Sequence, residues 1–217
     1  MNKRIYLLTL VVATAFLLST PASAGVLYDN GPINGGILGW TINFGFAVAD
    51  SFTLTGTSTL TGVANVGLWL SPGDSPVSLD WGISAAPDYT QSLGGGTVDP
   101  TITVWCSGCG SEYYDIYSAS FSLPNLVLGP GTYYLSLQNG VTSTEGNPLY
   151  WDDNNGLSVA YENTIGPLAD FDGFPGSNSS SFQILGDTSG VPEPASTAMF
   201  LSGLALVAGL ARRKMRA

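Results

Sequence analysis

The chain lacks histidine altogether, and residues 25–190 contain neither lysine nor arginine. The six basic residues all lie near the two ends of the chain, whereas 15 of the 16 acidic residues lie between residues 25 and 190. A region with this charge repels the phosphates of nucleic acids and of anionic lipids, which excludes both as partners. It also excludes salt bridges between its own side chains, so its fold must rest on apolar burial and hydrogen bonds, with bound cations as a further contribution to consider.

The same absences remove most catalytic chemistries from the central region. Without histidine or lysine it can form neither a His-based triad nor a Schiff base, and no glycine-rich phosphate loop follows a predicted strand. A carboxylate pair of the glycoside hydrolase type is the remaining option. The glutamates of this region are Glu112, Glu145 and Glu162, and nothing in the sequence indicates that two of them come together. We therefore expect no enzymatic activity, with a secreted glycoside hydrolase as the alternative.

Amphipathic helices are also missing between residues 25 and 190, which argues against a parallel α/β sheet. Short alternating runs bounded by Gly, Pro, Asn and Asp predict β-strands instead. These runs are residues 51–54, 62–70, 117–123, 132–137 and 181–185. Many short strands predict an all-β fold, an antiparallel β-sandwich, with a jelly-roll-like topology as the first choice and an immunoglobulin-like topology as the alternative.

The N-terminus has the three parts of a secretory signal peptide. A lysine–arginine pair precedes an apolar run over residues 5–18, and Ala22 and Ala24 form an A-x-A cleavage site before Gly25. This pattern predicts Sec-type export, loss of residues 1–24 and a processed chain that begins at Gly25. A retained N-terminal membrane helix is the alternative.

Cysteine occurs only as Cys106 and Cys109, separated by a serine and a glycine. In an exported chain an even cysteine count favours a disulfide, which would pin a turn between two strands. A redox-active pair would need a helix after the first cysteine, and a zinc site would need two further Cys or His ligands. Because the surrounding sequence supplies neither, we predict a structural disulfide.

The C-terminus combines three segments in a fixed order. A Val-Pro-Glu-Pro sequence is followed by an apolar run over about residues 196–211 and then by a basic cluster. The prolines keep the backbone extended, and the run can form a transmembrane helix when flanking arginines snorkel to the headgroups. The positive-inside rule then leaves the basic cluster in the cytoplasm and all preceding residues outside. The residues concerned are Val191, Pro192, Glu193 and Pro194 in the motif, and Arg212, Arg213 and Lys214 in the basic stop.

This tail, residues 191–217, resembles the PEP-CTERM tail of exported bacterial proteins, although an ordinary membrane anchor is the alternative. The resemblance implies that exosortase, a membrane transpeptidase-like enzyme, recognises residues 191–194 and cuts nearby while the tail holds the chain in the inner membrane. The predicted organisation is a signal peptide over residues 1–24, a β-sandwich ectodomain over residues 25–190 and the sorting tail. The central region is also similar to β-sandwich ectodomains that precede such tails, a likeness that concerns the fold alone.

Aromatic and acidic side chains adjoin in two segments of the ectodomain. Trp151, Asp152 and Asp153 form one group, and Tyr113 and Tyr114 belong to the other. Aromatic rings can stack on sugar rings while carboxylates bind sugar hydroxyls, so these five are the candidate ligand-binding residues. The alternative is that these aromatic rings pack in the core or against turns.

Calcium is the only cofactor for which the sequence supplies candidates. Hard cations bind oxygen ligands, and the candidates are Asp152 with Asp153 and, separately, Asp170 with Asp172. Neither pair follows the spacing of an EF-hand loop, and an Asx-rich turn between strands is the alternative for the first pair. We therefore expect no obligatory cofactor or metal.

These features predict an exported surface or extracellular-matrix protein of structural or interaction type. The predicted partners are an exosortase-like processing enzyme, the inner membrane before processing, and exopolysaccharide of a biofilm. A carbohydrate-binding module is the alternative, and it would need at least two exposed aromatic rings.

Overall fold

The computed structural model describes residues 24–36, 39–88, 91–109, 113–164, 169–170 and 179–188. The apolar part of the predicted signal peptide, the predicted sorting tail, Glu112 and Asp172 lie outside the described residues. The described part of the chain forms β-strands and no helix, which confirms the all-β class. It accordingly contains no helix of the length and apolarity that a membrane span requires, and the predicted transmembrane helix lies beyond it.

The strands appear where the sequence alternates between apolar and polar residues. Each of the five runs predicted from alternation overlaps an observed strand. In chain order the strands are β1 (Gly25–Asp29), β2 (Gly39–Thr41), β3 (Phe46–Leu54), β4 (Ser58–Leu70), β5 (Pro76–Ser84), β6 (Ser92–Val98), β7 (Thr101–Cys109), β8 (Tyr114–Leu128), β9 (Gly131–Thr142), β10 (Tyr150–Asn154), β11 (Ala160–Thr164), β12 (Ala169–Asp170), β13 (Ser179–Ser180) and β14 (Gln183–Thr188).

These strands form two antiparallel sheets. In the first sheet β7 pairs with β8 and β8 with β4, while the other edge of β4 pairs with β14 and, further along, with β10. β1 lies outside β14, and β2 and β13 lie outside β10. The second sheet has the order β12-β11-β3-β9-β5-β6. The antiparallel two-sheet prediction is confirmed, whereas the choice between jelly-roll-like and immunoglobulin-like topology stays a prediction.

The apolar core lies between the two sheets and is built from alternate residues of the long strands. In β3, for example, Val48, Phe52 and Leu54 are buried, while Thr53 between them is exposed. Fully burying one such side chain contributes about 1.5–3 kcal/mol, and the core contains more than twenty of them. This burial is what stabilises a domain that has no basic side chains for ion pairs.

The first and last strands of the domain are neighbours in the first sheet. β1 begins at Gly25, the residue that follows the predicted signal cleavage site, and β14 ends at Thr188, shortly before Val191. The two strands are antiparallel, with Gly25 opposite Gly186. The start and the end of the domain therefore lie at the same end of the sheet.

Candidate functional site

The disulfide predicted from the sequence lies at the end of β7. Cys106 and Cys109 are bonded, and they pair with Ile116 and Tyr114 of β8 across a register shift. Gly108, between the cysteines, has a φ of 63°, a left-handed conformation that glycine adopts without strain. The disulfide therefore closes the tip of the hairpin formed by β7 and β8.

A carboxylate on β8 holds the disulfide loop against a neighbouring turn. Asp115 accepts hydrogen bonds from the Gly108 N–H at 2.9 Å and from the Ser107 hydroxyl, and its other oxygen accepts one from the Gly73 N–H at 2.8 Å. The backbone donor of Gly73, followed by the two loop donors, lowers the pKa of Asp115 below its ordinary value. The loop is thus tied to the turn between β4 and β5 without any basic side chain.

An aromatic cluster covers the outer face of the first sheet. Trp69, Tyr114 and Tyr150 pack together, with ring centroids 5.9 Å apart for Trp69 and Tyr114 and 5.7 Å apart for Tyr114 and Tyr150. The ring of Trp105 lies directly over Gly35, where an added Cβ would approach the ring to 2.5 Å. Gly35 also has a φ of 64°, so both the space and the backbone conformation at this position require glycine.

Asp152 lies beneath this cluster and fixes the segment of residues 33–36 to the sheet. Its Oδ1 accepts hydrogen bonds from the Trp69 indole N–H at 2.6 Å and from the Gly35 N–H at 3.0 Å, and its Oδ2 accepts one from the Asn34 N–H at 2.8 Å. Desolvation raises the pKa of Asp152, and these hydrogen bonds oppose the increase. Asp152 is therefore a structural acceptor inside the domain.

The structure corrects part of the ligand-binding prediction. Trp151, Asp152 and Asp153 are fully buried. Trp151 packs edge-on against Phe182 in the core, and its indole N–H donates to the Ser181 carbonyl oxygen at 2.8 Å. A buried indole offers no face to a sugar ring, so these three residues do not form a surface that binds sugars.

The two predicted tyrosines occupy different environments. Tyr113 is 75% exposed beside the disulfide, whereas Tyr114 is half-buried between Trp69 and Tyr150. Trp105, which is not among the predicted binding residues, is 47% exposed on the same hairpin. Its position immediately before the disulfide was the only sequence signal that could have identified it.

A polar cluster interrupts the apolar core at one end of the sandwich. The Asn30 Nδ2 lies within 3.0 Å of four oxygens, which belong to the Asp50 and Ser158 side chains, the Ser179 hydroxyl and the Ser180 carbonyl. The Ser180 N–H donates to the Asp50 Oδ2 at 2.6 Å. Burial raises the pKa of Asp50 to about 7, and hydrogen bonds from Ser158 and Ser180 oppose the increase.

The predicted calcium pairs are not brought together. Asp152 faces the outer aromatic cluster, and Asp153, the next residue, faces the opposite side of the strand. The backbone of Asp170 lies in β12, and Asp172 lies outside the described residues. In the described ranges no three acidic, histidine or cysteine residues converge as metal ligands. An Asx turn follows at the end of β10, where the Gly156 N–H donates to the Asn154 Oδ1, whereas Asp152 and Asp153 lie within the strand itself.

The two described glutamates considered for hydrolysis, Glu145 and Glu162, lie on separate elements. Glu145 is exposed in the turn between β9 and β10, where it lines an open cavity of about 360 Å³ together with Asn43, Phe44 and Asn147. Glu162 lies on β11, where partial burial raises its pKa.

Comparison with known proteins identifies the C-terminal tail. Residues 190–216 match the family of PEP-CTERM protein-sorting motifs, which confirms the assignment made from the sequence. Such motifs are substrates of exosortase, a membrane processing enzyme, and they direct exported proteins to the cell surface. No curated protein matches the chain.

Proposed function

We propose that this chain, which carries a PEP-CTERM sorting motif, is a structural or interaction protein of the cell surface or of the exopolysaccharide matrix. The observation that carries the proposal is the sorting motif itself, which directly follows the last strand of the domain. The proposal assigns no enzymatic activity to the domain, whose function would be to present its surface outside the cell.

The arrangement of the two end strands supports this function. β1 and β14 are antiparallel neighbours, so the signal peptide before Gly25 and the tail after Thr188 leave the domain at the same end. Both targeting segments can therefore be held in one membrane while the domain extends away from it. The opposite end of the sandwich is then free to meet matrix components.

The proposed processing depends on the physical differences between the three parts of the tail. The apolar run holds the chain in the inner membrane, and the basic stop keeps its end in the cytoplasm. The two prolines keep the motif around Glu193 extended, so that a membrane enzyme can bind it as a strand. A peptide bond near the motif is then cleaved, and the new carbonyl group is transferred to water or to a nucleophilic group of an acceptor.

The charge of the domain suits a matrix environment. Residues 25–190 contain 15 carboxylates and no basic side chain, so the surface repels other anions and attracts cations. We propose that the domain contacts exopolysaccharide through neutral, aromatic side chains and through cations that both partners bind. Basic side chains take no part in this contact.

The intact mass of the protein recovered from the surface or medium of its native host tests this function. We expect a species that begins at Gly25 and ends near residues 191–195, alone or with the mass of an acceptor. Glu193→Ala should leave the tail attached, whereas Glu145→Ala, which changes an exposed glutamate of the domain, should be processed normally. A wild-type species that extends from Gly25 to Ala217 would contradict the proposal.

A carbohydrate-binding module is a second candidate, because two exposed aromatic side chains belong to the hairpin of β7 and β8. They are Trp105 and Tyr113, and the half-buried Tyr114 follows Tyr113 in the chain. Trp105→Ala should then weaken retention of the protein on exopolysaccharide from the host, because it removes the large apolar face on which a sugar ring would stack. Leu157→Ala, at a fully exposed apolar residue elsewhere, is the control. Equal retention of both variants would remove this candidate.

A further inference from the structure

Two polar atoms inside the domain have no hydrogen-bond partner among the described residues. They are the Asp50 Oδ1 and the Ser180 Oγ, and both residues are fully buried. A buried polar atom without a partner costs free energy, and the cost is largest for a carboxylate oxygen. A group other than the neighbouring side chains therefore has to compensate these two atoms.

The domain cannot supply a positive charge for this purpose. Residues 25–190 contain no lysine, arginine or histidine, so no basic side chain of the domain can pair with the Asp50 carboxylate. The amide of Asn30 already has more acceptors than it can serve, since its two hydrogens face four oxygens within 3.0 Å. Among the described residues no further donor is available to these two atoms, which leaves room for a cation from the solvent.

A second carboxylate, that of Asp153 on the first sheet, faces the same part of the interior as the Asp50 carboxylate on the second sheet. Asp50 lies on β3 of the second sheet and points inward, as do Val48 and Phe52 at alternate positions. Asp153 lies on β10 of the first sheet and shares its inward face with Trp151, a core residue. Asp153 is also the register partner of Ser180, so the two side chains project from the same face.

Ser180 connects the two carboxylates. Its backbone N–H donates to the Asp50 Oδ2 at 2.6 Å, and its Cα lies opposite that of Asp153. The Ser180 hydroxyl and both carboxylates therefore converge at one end of the sandwich interior. Ser158 and Ser179, whose hydroxyl oxygens are 2.7 Å apart, lie around the same cluster.

We propose that Asp50, Asp153 and the Ser180 hydroxyl bind a calcium ion between the two sheets. All of the available ligands are oxygens, which hard cations prefer, and two carboxylates balance the charge of one divalent cation. Calcium accepts irregular sets of six to eight oxygens, including carbonyls and hydroxyl groups, whereas magnesium requires near-ideal octahedral geometry. The irregular mixture of side-chain and backbone oxygens in this cluster therefore favours calcium.

The site would join the sheets at the end where the apolar core is interrupted. Its ligands come from β3, β10 and β13, which are distant in sequence, so the ion would crosslink parts of the chain that local structure does not connect. The inference does not depend on the sorting tail, and it can fail while the proposed function stands.

Calcium titration of the mature full-length chain, stripped of metal with a chelator and kept in detergent, tests the site. We expect one ion to bind per chain, with a dissociation constant of about 10⁻⁴ to 10⁻³ M, the range of extracellular modules. We also expect calcium to raise the melting temperature, and terbium to show emission sensitised by Trp151, which is two residues from Asp153.

Two variants separate this site from general attraction to an acidic surface. Asp50→Asn should weaken calcium binding by more than about tenfold, because even residues beyond the direct ligands change metal affinity by that much. Asp187→Asn removes an exposed carboxylate of β14 and should leave the affinity unchanged. The absence of saturable calcium binding by the wild-type chain would overturn the proposal even if Asp50→Asn failed to fold. Equal effects of the two variants would overturn it as well.

Discussion

Gly186 of β14 lies opposite Gly25 of β1 and directly beside the backbone of β4. A Cβ added at Gly186 would overlap the Thr59 carbonyl oxygen and would approach the Leu27 side chain to 2.8 Å. A glycine is therefore required where β1, the strand β14 before the sorting tail and the long central strand β4 meet.

Gly186→Ala should destabilise the domain. Relieving the overlap with a backbone carbonyl requires β14 to move away from β4, and such overpacking costs about 1–3 kcal/mol. The midpoint of urea unfolding, followed by tryptophan fluorescence, measures the change. Gly56→Ala is the control, because an added Cβ there meets no atom within 4 Å. Equal stability of the two variants would contradict the close packing of β14 on β4.

Trp69→Phe should destabilise the domain through the loss of a hydrogen bond. The Trp69 indole N–H donates at 2.6 Å to the buried Asp152, and removing one donor from a buried carboxylate costs about 1–3 kcal/mol. Trp81→Phe, at another buried tryptophan, is the control, because it measures the loss of stability that follows from replacing an indole by a smaller ring. The free energies of unfolding of both variants should be compared, and the prediction fails if Trp69→Phe costs no more than its control.

Asp115 should make the stability of the hairpin depend on pH in the acid range. Its pKa is lowered in the folded protein, so its contribution is present above the ordinary aspartate value of 3.8 and is lost as the pH falls through the lower folded pKa. Asp115→Asn should be less stable than the wild type by about 1–3 kcal/mol at neutral pH. The difference should shrink when unfolding is measured at progressively lower pH, and a difference independent of pH would contradict the role of the carboxylate.

The disulfide should contribute modestly to the stability of the domain. It closes a loop of only a few residues, for which the chain-entropy estimate is about 2 kcal/mol or less. Cys106→Ser combined with Cys109→Ser should therefore lower the denaturation midpoint slightly and leave a folded sandwich. Alkylation of unreduced wild-type protein should label no cysteine, and labelling of both thiols would contradict the disulfide.

The features that the sequence predicts correctly depend on short stretches of chain. The tail was recognised from a motif, an apolar run and a basic cluster that are consecutive, and the disulfide from two cysteines close together in the chain. Strand positions followed from alternation with period two, which the pleat of a strand imposes locally. The strand order was not predicted, because alternation shows which residues share a face and not which strands pair.

The candidate sites show which features cannot be predicted from neighbouring residues in the sequence. The Trp151–Asp152–Asp153 segment resembled a binding surface in the sequence, but β10 lies inside the first sheet and all three side chains are buried. Asp50 and Ser180 are separated by 130 positions, and no sequence pattern connects them. Their contact exists because two sheets close over one core.

The amino-acid sequence by itself determined the charge, the C-terminal sorting motif, the strands and the disulfide, because each depends on residue type and on near neighbours. Only the tertiary structure decided which polar side chains are buried and which acidic residues meet. Strand pairing across the whole chain is a long-range property: it brings Gly25 beside Gly186 and Asp50 to Ser180, and it leaves Trp105 exposed while burying Trp151.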